Sequence, residues 1–196
     1  MSELDVAELH RRAVGQWQKA LAAVGPDDWG RATPCSGWDV HALVNHVVGE
    51  ELWTVPLLEG ATIEQVGDRF DGDLLGDPVT AARRASSAAL AAIAAVDRYA
   101  PQGGTVHLSY GDERVEEYVR QLSADHLIHG WDLAVAVNAD TRLDPEIVDE
   151  VARWFEQREQ LYREAGMIAD RVDADGDPQT RLLAAFGRDA RWAAAA

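Results

Sequence analysis

From Val6 to Val24 the apolar positions Val6, Leu9, Ala13, Trp17, Leu21 and Val24 recur at steps of three and four. That spacing places them on one stripe of an amphipathic helix, which Gly25-Pro26 ends. A loop with Trp29 and Thr33-Pro34-Cys35-Ser36-Gly37-Trp38 follows, and Asp39 is placed to cap a second helix carrying Val40, Leu43, Val44, Val47 and Val48. Residues 60 to 78 are rich in Gly and Asp and read as a long surface connection, ahead of an alanine-rich helix from Val79 to Val96. Pro101 to Gly104 breaks the chain, and Thr105 to Tyr110 reads as a short extended piece turning at Gly111-Asp112. A fourth strong helix is expected from Glu113 to Val137, with Val115, Tyr118, Val119, Leu122, Leu133 and Val137 near one face. A further helix with Val148, Val151, Trp154 and Phe155 follows Pro145, and a short one around Leu182 to Phe186 ends at Gly187. Strong helices with short to moderate connections predict an all-α four-helix bundle with additional C-terminal helices.

Composition narrows what such a bundle does. A chain of 196 residues that is 47% hydrophobic is expected to form a single domain over 1–196, with a C-terminal extension. No run reaches the roughly 18 apolar residues of a membrane span, and Met1-Ser2-Glu3-Leu4-Asp5 lacks the features of a signal peptide, so a cytosolic location is expected. The net charge of −16 opposes binding to nucleic acid and to anionic membrane surfaces. Cys35 is the sole cysteine, so a four-cysteine zinc cluster is excluded and any metal must be held by His and carboxylate.

The fourth helix offers such a set. Positions four apart lie about 40° apart around a helix, so Asp125 and His129 can face one ion. His126 and His129, three apart, can also converge, and spacing alone leaves that choice open. His46 on the second helix would supply a ligand across the bundle, with Glu50 one turn beyond it. Two imidazoles and a carboxylate suit Zn²⁺ best, with Ni²⁺, Fe²⁺ or Mn²⁺ as alternatives, and leave coordination positions open to water or substrate. The competing reading makes these histidines ordinary core or surface residues.

Three segments in order carry a resemblance to a known family: Thr33-Pro-Cys-Ser-Gly-Trp-Asp-Val40 continuing to Val44-Asn45-His46-Val47-Val48-Gly49, then His129-Gly130-Trp131-Asp132-Leu133-Ala134, then Arg181-Leu-Leu-Ala-Ala-Phe-Gly-Arg-Asp189. Together they resemble the actinobacterial DinB-like bundle proteins with the N-terminal domain type of mycothiol-dependent maleylpyruvate isomerase. The resemblance implies a divalent metal held by His46, Asp125 and His129, favours Asp125 over His126, and makes mycothiol a candidate cosubstrate. The isomerase is expected to carry Glu where Asp125 stands, and it has a further C-terminal domain for which little room remains after Gly187-Arg188-Asp189. Fold and metal site are therefore expected to carry over, and isomerisation of maleylpyruvate is not.

The other chemical side chains take simpler readings. Cys35 is expected to be an inert buried thiol in a structural turn, Asp39 a helix cap, and Asp132 either an orienting partner of a histidine or a solvated group. Trp38, Trp53 and Trp131 read as core packing, His10 and His107 as solvated or locally bonded, and His41 as surface. Asp68, Asp71, Asp73 and Asp77 lack the pattern of a calcium loop and read as a solvated connection. The leading functional expectation is a metal-dependent transferase or isomerase that activates a low-molecular-weight thiol against a small electrophile. A metal-dependent hydrolase with Glu50 as base, and a non-catalytic metal- or ligand-binding bundle, are the alternatives; monomer and homodimer both remain open.

Overall fold

A computed structural model describes residues 4–96 and 104–193. Four long helices, α1 (Val6–Leu21), α2 (Val40–Leu58), α4 (Pro78–Ala95) and α5 (Val115–Ala136), form the bundle, with a one-turn α3 (Ile63–Val66) between α2 and α4. Three more helices follow: α6 (Pro145–Glu156), α7 (Glu159–Glu164) and α8 (Pro178–Ala185). Aspartate caps set the starts of α2, α4, α6 and α8, of which the sequence reading predicts only the one at Asp39. Asp39 accepts the Ala42 N–H at 2.8 Å, while Asp77, Asp144 and Asp177 each cap a helix opening with proline.

The bundle closes by pairing α1 with α5 and α2 with α4, and completes the square through α2–α5 and α1–α4 contacts. Trp17, Leu21, Val40, Leu43, Val44, Val47, Ala82, Ala85 and Leu133 fill its middle. Alanines on α4 keep that helix close to its neighbours. α1 approaches α5 closely at Gly130, where a Cβ would lie 3.3 Å from both the N and Cα of Trp17. A side chain there must push two backbones apart. Gly130→Val is expected to lower stability by about 2–3 kcal/mol through overpacking, read as a lower urea midpoint with an unchanged slope.

A chain of buried polar groups ties all four helices together. Gln18 of α1 donates to Ser86 of α4 (2.7 Å), Ser86 donates to Oε1 of Glu51 of α2 (2.5 Å), and the same oxygen bonds Nε2 of His126 of α5 (2.9 Å). His10 packs edge-on against His126 with ring centroids 5.1 Å apart. It is fully buried and neither ring nitrogen has a hydrogen-bond partner among the described residues, which corrects the expectation of a solvated or locally bonded His10. Burial, and then the neighbouring His126, holds its pKa well below the ordinary imidazole value, so it stays neutral.

Elsewhere the chain departs from the predicted bounds for local reasons. Thr105–Leu108 pairs antiparallel with Gly111–Arg114, Leu108 opposite Gly111, so this hairpin takes up residues 113 and 114 and α5 begins at Val115. Of the predicted break at Pro101 to Gly104, only Gly104 lies within the described residues. α3 arises inside the long connection through a capping box between Thr62 and Gln65. α7 was not predicted, since it buries no side chain and so has no apolar stripe. α6 and α8 form a second core against α5, in which Phe155 stacks on Phe186 at 4.0 Å. Among the described residues no helix is long and apolar enough to cross a membrane.

Candidate metal centre

α2 and α5 present His46 and the Asp125–His129 pair to one another at the floor of a cleft of ≈730 Å³. Asp125 Oδ1 lies 3.2 Å from His129 Nε2 and 3.6 Å from His46 Nε2, and the two imidazole centroids are 5.1 Å apart at 78°. Two ligand atoms on a tetrahedral zinc ion, each at ~2.0–2.1 Å, stand roughly 3.3 Å apart, so these separations match one shared ion. The second carboxylate oxygen, Asp125 Oδ2, is buried without a hydrogen-bond partner among the described residues. Buried carboxylate oxygens rarely go unmatched, and a cation would satisfy this one. Trp38 walls the floor, its ring centroid 4.9 Å from that of His46.

His129 is aimed from behind. Its Nδ1 lies 3.0 Å from Oδ2 of Asp132, a fully buried carboxylate, so Nδ1–H donates there and Nε2 faces Asp125 and His46. Arg188 grips Asp132, with Nη2 to Oδ2 at 2.8 Å and Nε to Oδ1 at 3.2 Å. Arg188 Nη2 also reaches Cys35 Sγ at 3.0 Å, and the Cys35 thiol lies 3.2 Å from Asp132 Oδ2. The turn that carries Cys35 is held by Thr33, whose hydroxyl donates to the Trp38 carbonyl (2.9 Å) and accepts from the Cys35 N–H (3.2 Å). Arg188 depends in turn on Gly187, which ends α8 at φ 75° and where a Cβ would lie 2.7 Å from Ala169 Cβ. Only glycine fits that turn.

Electrostatics follow from this packing. Burial raises the Asp125 carboxyl, but His129 and then His46 outweigh it and hold it well below the usual carboxylate range. For His129 burial lowers the pKa, while Asp125 and Asp132 reverse the sign and lift it well above the ordinary value. Glu50 lines the same cleft, and its carboxyl is pushed up by burial and by the charge of Asp125.

The family model for the mycothiol maleylpyruvate isomerase N-terminal domain matches residues 10–134. The chain belongs to this family. Two similar curated proteins, the uncharacterized proteins MT0763 and Rv0738 of Mycobacterium tuberculosis, are each 32% identical over 150 residues, which cover 75% of this chain and 75% of each relative. No solved structure matches significantly. The all-α, DinB-like bundle expected of a family member is the one found, and the matched region contains His46, Glu50, Asp125 and His129.

The family's bundle separates residues that spacing left ambiguous. His126 points into the core, with Nδ1 bonded to the Leu122 carbonyl at 2.8 Å and Nε2 to Glu51, so neither nitrogen faces Asp125's partners. A second grouping, Cys35, His129 Nδ1 and Asp132, also has ligand-type atoms within 4.8 Å of one another. There the Arg188 guanidinium already supplies the positive charge, and a metal cation would be repelled by it. Cys35 is half-buried and lines the cleft, which corrects the expectation that this thiol is buried. Trp38 packs half-buried against the bundle core and also walls the site, Trp53 packs edge-on to Phe70 in a half-buried position against the core, and Trp131 is core. His41 is half-exposed 3.7 Å from Asp73, and His107 bonds Asp112 at 2.7 Å. Arg188 lies in the third segment of the resemblance, but its contacts were not foreseen: it is 56 residues from Asp132 and 153 from Cys35, beyond any local pattern.

Proposed function

We propose that this protein is a divalent-metal-dependent, thiol-using transferase or isomerase, with the ion held by His46 Nε2, Asp125 and His129 Nε2. The observation that carries the reading is the convergence of these three groups at the floor of a large cleft, beside a buried Asp125 oxygen that lacks a partner among the described residues. When bound, the ion stabilises a thiolate at neutral pH, and Zn²⁺ is the best match to two imidazoles and one carboxylate. Membership in a mycothiol-linked family makes mycothiol the first thiol to test. The cytosol, where small thiols stay reduced, suits this chemistry.

The chain's own residues supply the remainder. Trp38, Tyr118, Ile128 and Phe186 give the cleft apolar walls that shield a small electrophile from water. Glu50 lines the same cleft and would serve as the acid that protonates the electrophile when sulfur adds to a neighbouring carbon, and as the base on release; burial and the charge of Asp125 push its carboxyl above the ordinary value. The same raised carboxyl supports a second reading, hydrolysis with Glu50 as the proton acceptor for water.

The test is metal analysis of the purified protein, followed by titration of the Co²⁺-loaded form with mycothiol. About one ion per chain and a new sulfur-to-cobalt charge-transfer band are expected. An ion without such a band moves the case to hydrolysis; no ion under chelator-free conditions ends the metal reading.

A further inference from the structure

We propose that Arg188, delivered by the C-terminal turn after α8, is a positioning residue of the metal centre that acts through Asp132 to hold His129 with Nε2 toward the ion. This rests on the metal reading above, and it adds a part of the chain that the family match does not reach, since the match ends at residue 134.

Asp132 is fully buried one turn beyond His129 on α5, and a carboxylate on a helix has rotamers that would turn it away from the imidazole. What fixes it is the guanidinium fork. Nε lies 3.2 and 3.3 Å from the two carboxylate oxygens and Nη2 lies 2.8 Å from Oδ2, the same oxygen that faces His129 Nδ1 at 3.0 Å. Nη1 donates to the Phe186 carbonyl at 2.9 Å, which pins the guanidinium to its own backbone turn. Arg188 Nη2 also contacts Cys35 Sγ at 3.0 Å, so the arginine's nitrogens are committed to protein partners and its role is support, not capture of substrate. It is the only lysine or arginine lining the cleft among the described residues.

The relay thus runs from backbone to fork to carboxylate to imidazole. Phe186 holds its start through stacking on Phe155 at 4.0 Å, and Gly187 permits the turn. Loss of a partner that orients a metal-bound histidine typically weakens metal binding by ~10–100-fold.

The experiment compares wild type, Arg188→Met, Arg188→Lys, Asp132→Ala and the Arg188→Met/Asp132→Ala double variant in two measurements. In the metal-free protein, NMR of the imidazole protons is expected to show a downfield, slowly exchanging Nδ1 proton of His129 in wild type and to lose it in Arg188→Met and Asp132→Ala. With Co²⁺, affinity is expected to fall by ~10–100-fold in Arg188→Met and in Asp132→Ala, to fall less in Arg188→Lys, and to fall no further in the double variant than in either of the first two. Wild-type Co²⁺ affinity and visible spectrum in Arg188→Met, or losses that add in the double variant, would overturn the proposal. If Arg188→Met does not fold, Arg188→Lys replaces it: this variant keeps the charge without the fork, and a full Nδ1 proton signal together with wild-type affinity there overturns the relay. If wild type takes up no Co²⁺, the metal reading has failed separately, and the relay is judged on the proton alone: retained in Arg188→Met it is wrong, lost it stands as the organiser of His129.

Discussion

Replacing His129 with alanine is expected to lower divalent-ion affinity by at least two orders of magnitude while the helices stay formed. Zinc sites with four protein ligands hold their ion with about 10–16 kcal/mol, so one ligand of three accounts for roughly 3 kcal/mol or more, at ~1.4 kcal/mol per tenfold. The pH dependence gives a second reading of the same variant. His129's pKa is lifted well above its ordinary 6.5, so near neutral pH the ion must displace a proton from it. Affinity in the wild type should therefore rise with pH until the raised value is passed, and His129→Ala should lose that proton-linked slope. In the metal-free protein the sign is opposite for stability: the His129 contribution is complete below 6.5 and disappears as pH climbs through the raised folded value. Asp125, held below its ordinary 3.8, contributes above that value and loses its contribution as pH falls through the depressed one. Isothermal titration of Zn²⁺ in buffers of differing ionisation enthalpy measures both affinity and proton release. Near-wild-type affinity in His129→Ala would remove this residue from the ligand set.

Glu51→Ala should cost about 3–5 kcal/mol of folding stability, the largest loss expected from any single polar change in the core. Glu51 Oε1 receives both the Ser86 hydroxyl and His126 Nε2, and truncation strands these groups where water does not reach. For His126, burial lowers the pKa, but the bond to Glu51 and its charge, with Asp125 and the Leu122 carbonyl, together outweigh this and raise it. The contribution of the pair is therefore complete below the ordinary 6.5 and is lost as pH rises through the raised value, a dependence that Glu51→Ala should lack. Since a whole domain is stable by only ~5–15 kcal/mol, the alanine variant will be near its folding limit, and Glu51→Gln, whose amide oxygen can still accept, is the milder comparison. Urea unfolding from pH 5 to 9 separates the two. Equal midpoints for wild type and Glu51→Ala would mean that the chain of buried bonds contributes nothing net.

The bundle was legible because its helices carry their instructions locally. Val6 through Leu21 has one apolar stripe, Asp39 is a cap, and Pro145 stands at a helix start, whereas the start of α8 at Pro178 was not read. The metal-type residues were legible for a related reason, since Asp125 and His129 are four apart on one helix and His46 sits in a segment shared with the family. His10 was misread because its neighbour His126 is on another helix, and a periodic pattern within α1 does not show what faces it. The role of Cys35 was missed because its burial is decided by a turn and by an arginine 153 residues away. In each failure the deciding contact is long in sequence and short in space.

Glu50 and Glu51 are consecutive, as are Asp125 and His126, and in each pair one residue faces the cleft while its neighbour joins the buried chain of bonds. A helix places neighbours about 100° apart, so the same two backbones serve both. Parting α2 from α5 to admit a ligand would break the His126–Glu51 bond in the dry interior. Entry is therefore easier from the other side, where Met167, Ile168 and Ala169 and the turn at Phe186 to Arg188 form a rim outside the bundle. The molecule resembles a vise with one fixed jaw: the helices and the turn at Phe186 to Arg188 keep the proposed ion-binding groups in place, and Met167 to Ala169 stand at the mouth of the cleft.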